Sequence, residues 1–324
     1  MAPIANNACE AFPSGGSAAV SGSLAGKASS PAGRTLNFSL VSQAASGTVA
    51  LSASGAFTYT RSDPGRGNLD SFVYRVTDSE GLAAEATAQL VYGKRRIMPL
   101  GDSITDGVET YKAATGDLPA VPERVGYRQA LLGRLTDAGY AVDFVGSRKS
   151  GAGAGLVDQD HEGYPGYTQN NLVAGIDSWL ALNPPDVVLL HIGTNDVSAG
   201  STDAAPTSSL LGRIDTWSAN PANPPVRLLL ATIIAQKSGT PDVAAFNANL
   251  TGIYNSTWAD AAGARPRFIV RRVDMNSKLD PATDLSDLAD DTTGLHPNPI
   301  GYGKMADAWF DALVQTGAVV KCDE

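Results

Sequence analysis

RIMPLGDSIT, residues 96–105, runs from an apolar stretch that reads as a buried strand straight into Gly, Asp and Ser, residues that end strands and make turns. Four further apolar runs follow: AVDFVG (141–146), DVVLLHIG (186–193), VRLLLATII (226–234) and RFIVRRVDM (267–275). Runs without polar alternation are what parallel strands covered on both faces look like. Amphipathic stretches separate or follow them: YRQALLGRLTDAG, NLVAGIDSWLALN, TSSLLGRIDTW, DVAAFNANLTGIYNSTWADAAG and, last, PIGYGKMADAWFDALV. This alternation predicts a doubly wound α/β fold, a parallel five-stranded sheet with helices on both faces. Ligands of such sheets bind outside the carboxyl ends of the strands, where Ser103 would stand.

Ahead of residue 94 the pattern is different. Leu36, Phe38 and Leu40 alternate with polar residues, as do Phe72, Tyr74 and Val76, and then Ala86, Ala88, Leu90 and Tyr92. DSEG, residues 78–81, fits a hairpin turn between the last two runs. Short strands without a convincing helix predict a small all-β sandwich over residues 1–93, preceding an α/β/α domain over 94–324.

Composition narrows the function. At 43 % hydrophobic and 18 % charged, the 324-residue chain is a folded protein long enough for two domains. Its longest apolar runs fall well short of the ~18 residues that a membrane-spanning helix needs. A net charge of −9 leaves no basic footprint for nucleic acid. No HxH, HExxH or paired-cysteine spacing points to a metal site, and no cofactor is implied. DLSDLADD (284–291) also lacks the loop spacing of a calcium site. Cys9 and Cys322 either staple the two ends in an oxidising compartment or are free thiols.

Three histidines are available as a general base. His191 sits inside a strand run and reads as a core residue. His161 falls in a loop. His296, in GLHPN before the final helix, lies at the carboxyl edge, where a neutral imidazole can take the proton of Ser103 and return it to a leaving alcohol. Acyl transfer also needs donors for an oxyanion. GTND (193–196) presents Asn195 at the end of its strand, and GYPGYT (163–168) presents Gly166, whose bare backbone N–H can approach a ligand closely.

GDSIT, the Gly of GYPGYT, GTND and GLHPN, in that order, resemble the four blocks of the SGNH hydrolases, also called the GDSL family. VGYRQALLGRL, VDFVGS and HEGYPGYT are further similar to carbohydrate esterase family 3, and residues 54–92 resemble the closing half of bacterial immunoglobulin-like or cadherin-like repeats. The resemblance implies a flavodoxin-like SGNH fold in which Ser103 is the nucleophile and His296 the base. It also implies an oxyanion hole made of the Ser103 and Gly166 backbone N–H groups and the Asn195 amide. One position departs from the family: Thr293 stands three residues before the histidine, where an aspartate is usual. Asp290 or Asp291 reaching the ring, a backbone carbonyl orienting it, or an impaired site all remain open; the reading adopted is a working enzyme with Asp291 as partner.

The implied activity is serine ester hydrolysis with short acyl groups, acetyl first, and the implied substrate a small ester or an acetylated polysaccharide such as xylan. Asp102, Tyr164 and Tyr167 are the candidate substrate contacts, with Tyr111 a further ring able to stack on sugar. An arylesterase or lysophospholipase of the same fold and a catalytically weak carbohydrate-binding protein are the competing readings. Protein partners are unknown. MAPIANNACE shows neither a basic nor an apolar leader segment, and the chain is expected to be an extracellular protein, secreted or cell-surface, whose signal peptide is absent from this sequence.

Overall fold

The computed structural model describes every residue except 13–18, 63–68, 109–119, 238–240, 260–263, 287–293 and 323–324. Two compact units emerge, Met1–Lys94 with Val320–Glu324, and Arg95–Val319.

The first unit is the all-β region. Its strands are β1 (Ile4–Ala5), β2 (Ala8–Phe12), β3 (Ala19–Ser23), β4 (Ala28–Ser29), β5 (Leu36–Ser42), β6 (Gly47–Leu51), β7 (Ala56–Arg61), β8 (Leu69–Asp78) and β9 (Ala83–Tyr92). They form a four-stranded sheet in the order β2-β9-β8-β5, a three-stranded sheet β3-β7-β6 and the small pair β1-β4. The period-two pattern has its expected result: Phe38, Phe57, Tyr59, Phe72, Tyr74, Val76 and Leu90 are buried in one core to which both sheets contribute. The turn at 78–81 joins β8 to β9, with Asp78 Oδ1 accepting from the Glu80 and Leu82 N–H groups. Cys9 of β2 is disulfide-bonded to Cys322, 313 residues away in sequence. Val320–Glu324, which carry Cys322, group with the first unit.

The second unit contains β10 (Arg95–Gly101), α1 (Ser103–Asp106), α2 (Gly126–Asp137), β11 (Val142–Phe144), β12 (Arg148–Lys149), β13 (Asp160–Gly163), α3 (Gln169–Leu182), β14 (Val187–His191), α4 (Thr194–Ser198), α5 (Ala205–Ala219), β15 (Val226–Ala231), α6 (Pro241–Ile253), β16 (Phe268–Val273) and α7 (Pro299–Gln315). The five predicted strands are β10, β11, β14, β15 and β16. Parallel pairing runs β11-β10-β14-β15-β16. Two short strands extend the sheet to seven: β13 pairs with the far end of β10, on the side that β11 takes nearer its start, and β12 is antiparallel to β13.

Alternate residues of each strand feed two cores. Ile97, Val187 and Leu189 pack with Tyr127, Leu131, Met305 and Trp309 of α2 and α7. Met98, Val188 and Leu190 pack with Leu172, Ile176, Leu210 and Ile214 of α3 and α5. Burial on both faces is why these strands are continuous apolar runs. At the carboxyl edge β10 ends at Gly101, paired with His191 of β14. A methyl group there would stand 2.3 Å from the His191 carbonyl oxygen and 2.5 Å from Thr105 Oγ1, so the strand turns tightly into α1 only because the residue is glycine.

Candidate active site

Ser103 opens α1 as the chain leaves β10. The turn is held by Asp102, whose Oδ1 accepts from the Ile104 N–H at 3.0 Å, a side-chain cap on the helix start. Behind it stands Arg128 of α2, fully buried, donating to the carbonyls of Thr105, Asp106, Arg124 and Gln159 and to Ser150 Oγ over 2.6–3.1 Å. Those bonds take up carbonyls that a helix end leaves unsatisfied and fix α1 against the loops beside it. Burial pulls the Arg128 guanidinium down to about 10, so it remains charged.

His296 arrives from the opposite side. Its carbonyl accepts from the Ser286 N–H at 2.9 Å, and Asn298 caps α7 by accepting from the N–H groups of Ile300 and Gly301. The Asn298 amide also donates to the Thr283 carbonyl, tying α7 to residues 283–286. That segment is anchored by Asp284, which receives Lys304 Nζ at 2.6 Å. Burial alone would raise the Asp284 carboxyl, but bonds from Lys304, the Asp280 N–H and Thr283 hold it below its ordinary value. The result is a Ser103 Oγ to His296 Nε2 distance of 2.8 Å across 193 residues of sequence, with Ser103 only 7 % exposed. A hydroxyl donating to Nε2 in this geometry is poised to give up its proton.

Gly166 is the third residue of a tight turn, Tyr164–Tyr167, closed by the Tyr167 N–H donating to the Tyr164 carbonyl at 3.1 Å. Pro165 precedes it and its φ is +81°, the pairing of a type II turn. Asn195, half-buried at the start of α4, donates Nδ2 to the Tyr167 carbonyl at 2.8 Å, leaving its second N–H uncommitted among the described contacts. Asp196 accepts from the Gln169 N–H at 3.1 Å at the start of α3. Thus the 193–196 and 164–167 segments are bonded directly to each other.

The other expected contacts fare differently. Asp102 is fully buried, with Oδ1 bonded to the helix start. Tyr164 is committed as well: its hydroxyl donates to Glu162 at 2.8 Å and its ring stacks on Tyr167 (4.6 Å between centroids) and Trp179 (4.8 Å), with burial pushing the phenol up to about 12. Tyr164 and Tyr167 are both half-buried. Asp290, Asp291, Thr293 and Tyr111 lie outside the described residues.

His161 is not in a loop but on β13, entirely buried. Its Nδ1 accepts from the Gly163 N–H at 2.9 Å, while Nε2 faces Ser150 Oγ at 3.0 Å and Asp106 Oδ1 at 3.4 Å. This second Ser-His-Asp grouping is sealed from solvent, and burial and nearby arginines hold the imidazole well below its ordinary value. His191, buried at the end of β14, is lowered to about 4 by burial. Both are neutral structural histidines at physiological pH. Among the described residues no group of three His, Cys, Asp or Glu is placed to hold a metal ion.

Comparison with known proteins identifies the family of the chain. Residues 100–304 match the model of the GDSL-like Lipase/Acylhydrolase family, and residues 1–91 match a bacterial Ig domain. A multidomain esterase of Ruminococcus flavefaciens is 32 % identical over 248 residues, 68 % of this chain and 28 % of that protein's length. A family 3 carbohydrate esterase of Clostridium thermocellum, solved as a structure, is 32 % identical, covers 69 % of this chain and 96 % of its own, and superposes with a TM-score of 0.55. An acetyl esterase variant solved with an acetate ion is 26 % identical over 68 % of this chain and 97 % of its own, with a TM-score of 0.52. With more than half its residues matched by the family model and a serine-histidine pair at the carboxyl edge of its sheet, the chain belongs to the GDSL-like lipase/acylhydrolase family.

Proposed function

We propose that the protein is a serine esterase that removes short acyl groups, acetyl first, from an acetylated polysaccharide such as xylan. The observation that carries the reading is the 2.8 Å contact between Ser103 Oγ and His296 Nε2. As Oγ attacks the ester carbonyl carbon, its proton passes to Nε2 and the carbonyl electron pair moves to oxygen. The backbone N–H groups of Ser103 and Gly166 and the free N–H of Asn195 receive that oxyanion. Collapse of the intermediate expels the alcohol, which takes the proton from His296, and water then releases the acid by the same route. Asp291 is kept as the proposed partner of the imidazole.

Substrate class rests on the relatives, among them a family 3 carbohydrate esterase and an acetyl esterase. Tyr167, the half-buried outer ring of the aromatic stack beside Gly166, is the proposed sugar contact. Extracellular operation is supported by the Cys9–Cys322 bond, which persists in oxidising surroundings. The test is hydrolysis of p-nitrophenyl acetate, butyrate and octanoate, followed by acetate release from acetylated xylan. Acetate is expected to be turned over fastest. Faster octanoate turnover moves the protein to the lysophospholipase or arylesterase class, and sugar affinity without any ester cleavage makes it a binding protein.

A further inference from the structure

Capping α1 does not require a charge. Asn and Ser do so as well as Asp, and neither carries the desolvation penalty of a carboxylate out of contact with water. Yet Asp102 is fully buried, and only Oδ1 has a hydrogen-bond donor beyond its own backbone, the Ile104 N–H; Oδ2 has no partner among the described residues. Asp102 immediately precedes Ser103, whose hydroxyl meets His296, and its charge interacts electrostatically with His296. We infer that Asp102 is a positioning residue, a fixed negative charge that favours the His296 imidazolium formed while Ser103 is acylated. The inference rests on the Ser103 and His296 roles proposed above.

The groups facing Asp102 from each neighbouring element are His296 ahead of α7, Asp196 of α4 and the Tyr127 phenol of α2. A positive His296 favours the anion, while Asp196 opposes it. Burial, with a smaller push from the Asp102 charge, holds the Tyr127 phenol well above its ordinary value, so that group stays neutral. Burial outweighs the rest and lifts the Asp102 carboxyl to about 6, which leaves it ionised in neutral solution. Because the two charges stabilise each other, the unfavourable buried anion is relieved when the imidazolium appears, and that relief lowers the barrier. Asp102 itself takes up no proton: the serine proton goes to Nε2 and then to the leaving oxygen. Thr293, at the position where the family has a carboxylate, gives such a second source of negative charge a use.

The test uses Asp102→Asn and Asp102→Ser, both uncharged residues able to cap α1. At about pH 8, kcat for p-nitrophenyl acetate is expected to fall about 10- to 100-fold with little change in KM, the range for loss of one nearby unit charge in protein. Below about pH 6 the wild type should carry an added loss of kcat/KM as Asp102 is protonated, a loss that both variants lack. Urea unfolding supplies a readout independent of turnover. A carboxyl raised in the native state holds its proton longer than in the unfolded chain, so wild-type stability relative to the variants should drop as pH rises from about 4 to about 6. Wild-type kcat with an unchanged acid limb in both variants overturns the inference, as does loss of folding stability in both at neutral pH, which would assign Asp102 to the fold alone. Hydrolysis that survives Ser103→Ala defeats the underlying serine reading, whereas an inactive Ser103→Ala with unaltered Asp102 variants defeats only the role given to Asp102.

Discussion

Ser103→Ala is expected to lower kcat for p-nitrophenyl acetate by about a millionfold while leaving the thermal unfolding midpoint within a degree or two of wild type. On the proposed mechanism, removing Oγ removes the atom that carries the acyl group and leaves the His296 imidazole without the proton it is proposed to accept. The deleted oxygen belongs to a side chain whose neighbours are otherwise held from behind by Arg128 and Asp102, so the turn should survive. Mass spectrometry of the wild type quenched early in turnover should show an acetyl adduct at Ser103 and none in the variant. Retained turnover with no adduct would mean that the 2.8 Å contact is an ordinary structural hydrogen bond.

Asn195→Ala is the second large effect. If its uncommitted N–H meets the oxyanion, the loss should be about 10² to 10³ in kcat, roughly 3–4 kcal/mol, with KM barely altered, because the interaction is made in the transition state and not with the bound ester. The same side chain also donates to the Tyr167 carbonyl, so truncation should cost about 1 kcal/mol of folding stability as well. These two contributions separate cleanly: stability is read from denaturant unfolding, and the rate is measured well below the transition. A rate loss under tenfold in a folded variant would take Asn195 out of the oxyanion hole and leave it as a clasp on the Tyr164–Tyr167 turn.

The parts of the molecule that could be read from sequence are those written in apolar periodicity. Strands β10, β11, β14, β15 and β16 are buried on both faces and therefore appear as uninterrupted Val, Ile and Leu runs, and the residues at their carboxyl ends could be found by following each run to its stop. Strands β12 (Arg148–Lys149) and β13 (Asp160–Gly163) escaped because they are short and carry no apolar run, although β13 pairs with both β10 and β12. Buried polar residues were harder still. Arg128 sits in an amphipathic helix and looks like a surface arginine until the loops around it are in place, because its acceptors come from residues 105, 106, 124, 150 and 159. The stacking of Tyr164 on Trp179 was illegible for the same reason: Trp179 comes from the third turn of a following helix, and nothing local announces the contact. Asp284 and Lys304, which set the approach of His296, are 20 residues apart and carry no motif.

The disulfide gives the polypeptide a property that neither unit has alone. Because Cys9 and Cys322 are joined, all residues between them form a covalently closed ring in which the whole α/β unit is one arc. A single peptidase cut anywhere on that ring leaves one molecule of undiminished mass, which separates into fragments only when the bond is reduced. In a protease-rich medium a first nick is therefore not a severance, and the catalytic arc stays tethered at both of its ends.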